Sequence, residues 1–179
     1  RVIFSDPRDR LPLTLNDFTS REVHLSRANL RGALLASCSI PFWLQAQHDL
    51  PGAPRGAYWD GGITDYHLHL PYASMPKGLV LYPHFQAQVV PGWLDKPWKQ
   101  RHRASASLDN LVVLSPRLEW VQTLPNGKLP DRKDFQSYGD DLPARQRVWR
   151  EALAQSQRLA DEFAQFIANP VPDLIEPLV

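Results

Sequence analysis

Proline content is the sequence feature that most constrains how this chain can fold. There are 17 prolines among 179 residues, whereas proline usually makes up about 5% of a protein. Because proline lacks a backbone N–H and pushes the preceding residue out of helical geometry, it interrupts both helices and sheets. We therefore expect short elements with long, stiff connections, within one domain large enough to hold a real core.

The clearest predicted element is a long amphipathic helix near residues 142–168. Asp140 and Asp141 stand at its start, Pro143 falls in the first turn, where a missing N–H costs little, and Pro170 follows its end. One helical stripe collects its apolar side chains, namely Val148, Ala152, Leu159, Phe163, Phe166 and Ile167, widened by Trp149 and Leu153.

A second helix is predicted between Ser26, a suitable N-cap residue, and Pro41, which stops it. Its contact stripe has small side-chain volume and would pack closely: Leu30, Ala33, Leu34, Ser37 and Cys38. Short apolar runs at residues 1–5, 23–25, 78–82 and 111–114 predict strands. Together these elements predict an α/β fold with part of a central sheet and flanking helices.

Composition excludes several classes of protein. A formal net charge of +1 argues against a nucleic-acid partner, which requires a concentrated basic surface. The single cysteine, Cys38, rules out an internal disulfide framework and calls for no oxidising compartment. No apolar run reaches the roughly 18 residues of a transmembrane helix. These features predict a cytoplasmic or peripheral membrane protein.

The stretch from Tyr58 to Asp65 joins an aromatic pair to an acid and two glycines. Glycine accepts positive φ at no steric cost, so Gly61 and Gly62 predict a tight turn. Asp60 would then lie at the rim of a sheet, where α/β proteins keep their sites. Taken alone, the pattern favours an ordinary turn with a solvated aspartate.

Together with the end of the preceding helix, this turn resembles the patatin-like phospholipase family. The matching residues run from Asn29 to Pro41, ending in Ala-Ser-Cys-Ser-Ile-Pro, and from Tyr58 to Gly62. In that family a helix ending in Ala-Ser-x-x-x-Pro is followed, after a variable loop, by an Asp-Gly-Gly or Asp-Gly-Ala turn. The resemblance covers roughly residues 23–70 and implies a three-layer α/β/α fold.

The resemblance also implies an activity. The family hydrolyses acyl esters of lipids with a serine nucleophile and an aspartate base, which makes Asp60 the general base here. A serine hydroxyl attacks poorly until a positioned base takes its proton, so the residue types suit the chemistry. The reaction needs a nucleophile, a base and amide donors for the oxyanion, and therefore no cofactor.

The sequence departs from the family in lacking Gly-x-Ser-x-Gly and the glycine-rich oxyanion loop. We therefore interpret residues 1–179 as the C-terminal portion of a single patatin-like domain, inactive alone. Without the N-terminal part of the domain, a sheet edge and an apolar face would be exposed. This predicts self-association or pairing with the N-terminal part.

Other interpretations of the same residues stay open. Asp60, His67 and His69 would suit a metal-dependent hydrolase, because His-x-His on a strand puts both imidazoles on one face. The alternative is an alternating segment with a partly solvated polar face and no metal. Asp65 is expected to fix the turn through hydrogen bonds to the backbone, or alternatively to act as the base.

The segment from Trp93 to Arg103 mixes aromatic and basic residues. Trp93 and Trp98 are candidates for peripheral membrane contact, because aromatic rings lie at headgroup depth and cations meet anionic lipids. The alternative is a loop whose tryptophans pack onto the domain. A non-catalytic or degenerate patatin-like interaction module is the alternative to an enzyme.

Overall fold

The computed structural model describes residues 1–9 and 11–178. Helices, short 3-10 helices included, take up 39% of the chain and strands 11%, a mixture that is loosely compatible with the predicted α/β class. The helices are α1 (Leu30–Ser37), α2 (Gly62–Asp65), α3 (Leu118–Thr123), α4 (Lys133–Tyr138) and α5 (Leu142–Ala168). The strands are β1 (Val2–Ser5), β2 (Arg21–His24), β3 (Gln47–His48), β4 (Ala57–Tyr58), β5 (Val80–Pro83) and β6 (Leu111–Leu114).

Within the described residues the strands pair two by two and do not join into one central sheet. β1 runs parallel to β2, β3 runs antiparallel to β4, and β5 pairs with β6. Strands of two to four residues offer few ladder hydrogen bonds, and proline-rich connections separate them. A parallel pair is nevertheless typical of α/β proteins, in which such strands belong to larger covered sheets.

The chain divides into two compact units. The first comprises residues 1–82 and 87–113 together with Leu178. Its hydrophobic core is formed by Tyr72, Val89, Leu108 and Leu111, all of them buried. This unit contains the Asp60 stretch and the segment from Trp93 to Arg103.

Helix α1 begins at Leu30, later than predicted, with Asn29 and not Ser26 at the N-cap position. Asn29 is buried, and its Oδ1 accepts a hydrogen bond from the Ser26 N–H at 2.8 Å. Its Nδ2 donates to the carbonyl oxygens of His24 at 3.0 Å and Pro51 at 3.1 Å. Asn29 therefore fixes the start of α1 against the end of β2 and a distant loop.

Helix α1 also buries a different face from the predicted one. Its contact face includes Ala36, which is buried, and Gly32, where a Cβ would lie only 2.6 Å from Leu50 Cδ2. The missing side chain at Gly32 lets Leu50 approach and thereby selects this face. Most of the predicted stripe is exposed instead: Leu30, Leu34, Ser37 and Cys38.

The second unit comprises residues 83–86 and 114–177. Helix α5 coincides with the predicted long helix, and Asp141 caps it, because Asp141 Oδ1 accepts from the Ala144 N–H at 3.0 Å. Trp120, Leu124 and Ala152 form the buried core of this unit. No helix in the described ranges combines the length and apolarity needed to cross a membrane.

A buried carboxylate organises the second unit. Asp134 is 1% exposed and accepts hydrogen bonds from Lys128 Nζ at 2.6 Å, Trp149 Nε1 at 2.9 Å and the Asp131 N–H at 3.0 Å. The Lys128 hydrogen bond is the main reason why the pKa of Asp134 lies below its ordinary value. These bonds tie α4 and α5 to the loop that contains Lys128.

Candidate functional site

The Asp60 stretch is held against the end of the preceding helical segment. The Asp60 N–H donates to the Ser39 carbonyl oxygen at 3.0 Å, and Ser39 follows α1 closely in the chain. Asp60 Oδ1 accepts from the Gly62 N–H at 2.7 Å. Among residues 1–9 and 11–178, no group donates a hydrogen bond to the second carboxylate oxygen, Oδ2. Asp60 therefore has one oxygen fixed and one available.

The predicted tight turn is the start of helix α2. Gly61 has φ −63° and ψ −21°, and neither Gly61 nor Gly62 adopts positive φ. The two glycines differ in their surroundings. A Cβ at Gly62 would lie 2.9 Å from Asp60 Oδ1, whereas a Cβ at Gly61 would meet nothing within 4 Å. Close approach of the carboxylate explains the glycine at 62, and the structure gives no reason for the one at 61.

We expect Gly62→Ala to lower the free energy of unfolding by about 1–3 kcal/mol, because the new Cβ forces the Asp60 carboxylate away from residue 62. Gly61→Ala is the matched control and should be neutral or stabilising by about 0.5 kcal/mol, since its backbone is helical and its surroundings are open. Urea unfolding of both variants measures the difference. Equal losses would contradict this account of the turn.

Asp65 is held by side chains and not by the predicted bonds to backbone. Its Oδ1 accepts from Arg1 Nη1 at 2.9 Å, and its Oδ2 accepts from Thr64 Oγ1 at 2.9 Å. Burial raises the pKa of the Asp65 carboxyl, and the hydrogen bond from Thr64 and the charge of Arg1 offset this only in part. Because both of its oxygens are occupied, the geometry favours Asp60 over Asp65 as a base.

The two histidines of the metal hypothesis lie apart from Asp60 in their interactions. His67 is buried, and its Nδ1 accepts from the Val90 N–H at 3.0 Å. His69 Nε2 lies 3.4 Å from Ser105 Oγ. The chain around His67 and His69 is turn and loop, so the expected strand that would align the imidazoles is absent from this stretch. No three His, Cys, Asp or Glu side chains in the described residues form a group able to hold a metal ion.

The segment from Trp93 to Arg103 begins directly against α2. A Cβ at Gly92 would lie 2.7 Å from the Ile63 carbonyl oxygen, and the Tyr66 N–H donates to the Pro91 carbonyl oxygen at 2.8 Å. Trp93 is half-buried, which suits the packing alternative. Trp98 is 55% exposed, which leaves the membrane alternative open for that residue.

A second exposed apolar group follows α1. Phe42, Trp43 and Leu44 are 89%, 73% and 54% exposed. Phe42 has φ +71°, a conformation that is unusual for a bulky residue and that normally costs free energy. Leu30 and Leu34 on α1 are also exposed, at 41% and 61%.

Sequence reasoning missed the contacts that hold this site together. The partners are the Ser39 carbonyl, the Arg1 guanidinium and the close-packed Gly92. Each lies about twenty or more residues from the group that it contacts. Backbone carbonyls and single glycines leave no local pattern that would mark such contacts in advance.

Comparison of the chain with protein-family models, with curated proteins and with solved structures finds no match. Function must therefore be inferred from the residues themselves. The Asn29–Pro41 segment and the Asp60 stretch contact each other through the bond between the Asp60 N–H and the Ser39 carbonyl.

Proposed function

We propose that this chain supplies the general base, Asp60, of a patatin-like lipid acyl hydrolase. One observation carries the proposal. The two sequence motifs of the resemblance are joined by the 3.0 Å hydrogen bond from the Asp60 N–H to the Ser39 carbonyl oxygen. Motifs that serve one active site are expected to be adjacent, whereas two chance matches in one chain have no reason to touch.

The chemistry of the proposal follows from the two oxygens of Asp60. Oδ1 is fixed by the Gly62 N–H at 2.7 Å, so the orientation of the carboxylate is set. Oδ2 would accept the proton of a serine hydroxyl as that hydroxyl attacks an ester carbonyl, which is general base catalysis. No serine or threonine hydroxyl in the described residues donates to Asp60. The proposal therefore takes the nucleophile from residues other than these 179.

The fold supports a larger α/β assembly around this site. β1 and β2 are parallel, and parallel strands normally belong to sheets covered on both faces. The leucines on α1 and the Phe42–Leu44 group are exposed. We propose that further protein of the three-layer α/β/α architecture covers them, either the part that carries the nucleophile or a second copy of the chain.

The alternative function is a non-catalytic interaction module. The exposed apolar group Phe42–Leu44 favours it, because contiguous exposed apolar surface marks binding sites as well as incomplete cores. In that case Asp60 serves only to start α2, which its bond to the Gly62 N–H already achieves.

Activity-based labelling separates the two functions. The chain would be compared with a version extended through the coding sequence upstream of Arg1, and both would be treated with a fluorophosphonate that labels activated serines. The proposal expects labelling and phospholipid hydrolysis by the extended chain only. Ester hydrolysis by the 179 residues that depends on Asp60 would overturn the division of the dyad. An extended chain without labelling would favour the interaction module.

A further inference from the structure

The segment Trp93–Arg103 presents large apolar side chains to solvent. Leu94 is 65% exposed and Trp98 is 55% exposed. They lie four residues apart, within and just after a short 3-10 turn formed by Trp93–Asp95. A tryptophan and a leucine exposed this close together form an apolar patch of the kind that marks an interaction site.

The exposure is built into the segment by a hydrogen-bond network around Asp95. Asp95 Oδ2 accepts from the Gly92 N–H at 3.0 Å, and Asp95 Oδ1 accepts from Arg101 Nη1 at 2.8 Å. The Asp95 carbonyl oxygen accepts from the Trp98 N–H at 2.9 Å and lies 2.9 Å from His102 Nε2. These bonds fix the backbone on both sides of Trp98, whose side chain is exposed.

The charge of the segment is strongly asymmetric. It contains Lys96, Lys99, Arg101 and Arg103 against the single carboxylate of Asp95, and Arg101 is the cation that pairs with that carboxylate. Lys96 Nζ lies 4.0 Å from the centroid of the Tyr66 ring. In the described part of the chain, neither Lys99 nor Arg103 lies within ion-pair distance of an acidic group.

We propose that Trp93–Arg103 is a docking surface for an anionic lipid bilayer. An exposed tryptophan beside unpaired cations matches the chemistry of the bilayer interface, where indole rings lie among headgroups and lysine and arginine meet anionic lipids. A protein partner would need a surface of opposite charge over the same short segment. A bilayer supplies that charge and an apolar layer together.

The position of the segment connects docking to the candidate site. Gly92, the residue just before the segment, packs against Ile63 of α2. Asp60 lies at the start of the same helix, where it bonds to Gly62. Contact with a bilayer would therefore bring the Asp60 stretch close to lipid. This consequence depends on the proposed hydrolase function, whereas docking itself does not.

Vesicle co-sedimentation tests docking without turnover. Diether phosphatidylcholine vesicles, with and without diether phosphatidylglycerol, contain no acyl ester, so the readout is independent of hydrolysis. We expect binding to the anionic vesicles that falls as salt screens the charges. Lys99→Glu/Arg103→Glu should weaken partitioning about tenfold or more, and Trp98→Ala should weaken it about fivefold.

Two matched controls make the test specific. Arg147→Glu/Arg150→Glu changes the net charge equally at exposed positions of α5 and should leave binding unchanged, as should Ile167→Ala, which removes another large exposed apolar side chain. Circular dichroism verifies that each variant is folded. No binding of the wild type, equal binding to neutral vesicles, or losses as large in the controls would each overturn the proposal. Self-association that Trp98→Ala abolishes, without vesicle binding, would overturn it in favour of a protein interface.

Discussion

Replacing Asp60 by Asn, in a version of the chain that also carries the nucleophilic serine, should lower kcat for ester hydrolysis by about 10²–10⁴-fold. Asn has the same shape, and its Oδ1 can still accept the 2.7 Å hydrogen bond from the Gly62 N–H. The start of α2 is then preserved, while the charge that would remove the serine proton in the proposed dyad is lost. Initial rates on a phospholipid and on a soluble ester measure the effect.

Asp49→Asn is the matched control for this prediction. Asp49 also lies in a turn, and its Oδ1 accepts from a glycine N–H, that of Gly56, at 2.8 Å. The same chemical change at Asp49 should leave kcat unchanged, and both variants should unfold at nearly the wild-type temperature. A rate retained in Asp60→Asn would exclude Asp60 as the base.

Replacing Asp134 by Ala should lower the free energy of unfolding of the second unit by about 2–4 kcal/mol. Asp134 is 1% exposed. Without its carboxylate, the indole N–H of Trp149 and the Asp131 N–H would lose their hydrogen-bond acceptor. Buried donors without partners cost more than the net contribution of an ordinary hydrogen bond. Urea unfolding followed by near-UV circular dichroism measures the loss.

Asp131→Ala provides the comparison. Asp131 Oδ1 also lies close to Lys128 Nζ, at 3.1 Å, but the Asp131 side chain is exposed. Exposed ion pairs contribute little, so this variant should lose much less stability than Asp134→Ala. If the two variants lost equal stability, burial of Asp134 would not be the reason for its effect.

The same carboxylate sets a direction for the acid sensitivity of the second unit. Its pKa is lowered in the folded protein, chiefly by the hydrogen bond from Lys128. The folded state therefore favours the charged form, and the contribution of Asp134 is fully present above the ordinary aspartate pKa of about 3.9. It is lost as pH falls below that value through the lower folded pKa. Asp134→Ala should lack this part of the pH dependence.

Local chemistry explains the elements that were predictable from the sequence. Helix α5 was confirmed, because Asp141, Pro143 and a long apolar stripe all indicate the same element, and the observed Asp141 cap uses this local signal. β1 was confirmed as a strand for a similar reason, as an apolar run halted by Asp6 and Pro7. Such signals depend on neighbours in the chain and survive in any tertiary context.

The features that were not predictable depend on distant contacts. Periodicity could not identify the buried face of α1, because Leu50 selects it by approaching Gly32. The turn-shaping bond predicted for Asp65 is made by Asp60 instead. Asp60 shapes the turn through Gly62, and Asp65 pairs with Arg1, 64 residues away. The dyad assignment for Asp60 remains a proposal that the labelling and kinetic experiments test.

The hydrogen bonds of Asp134 should influence the order in which the chain folds. The partners of Asp134 are close in sequence, since Lys128 lies 6 residues and Trp149 lies 15 residues from it. The first unit needs longer closures, such as the 64-residue span from Arg1 to Asp65. Contacts between neighbours in sequence form faster, because less chain entropy is lost before they are made. In refolding followed by pulsed hydrogen exchange, the amides of α4 and α5 should gain protection before those of β1 and β2.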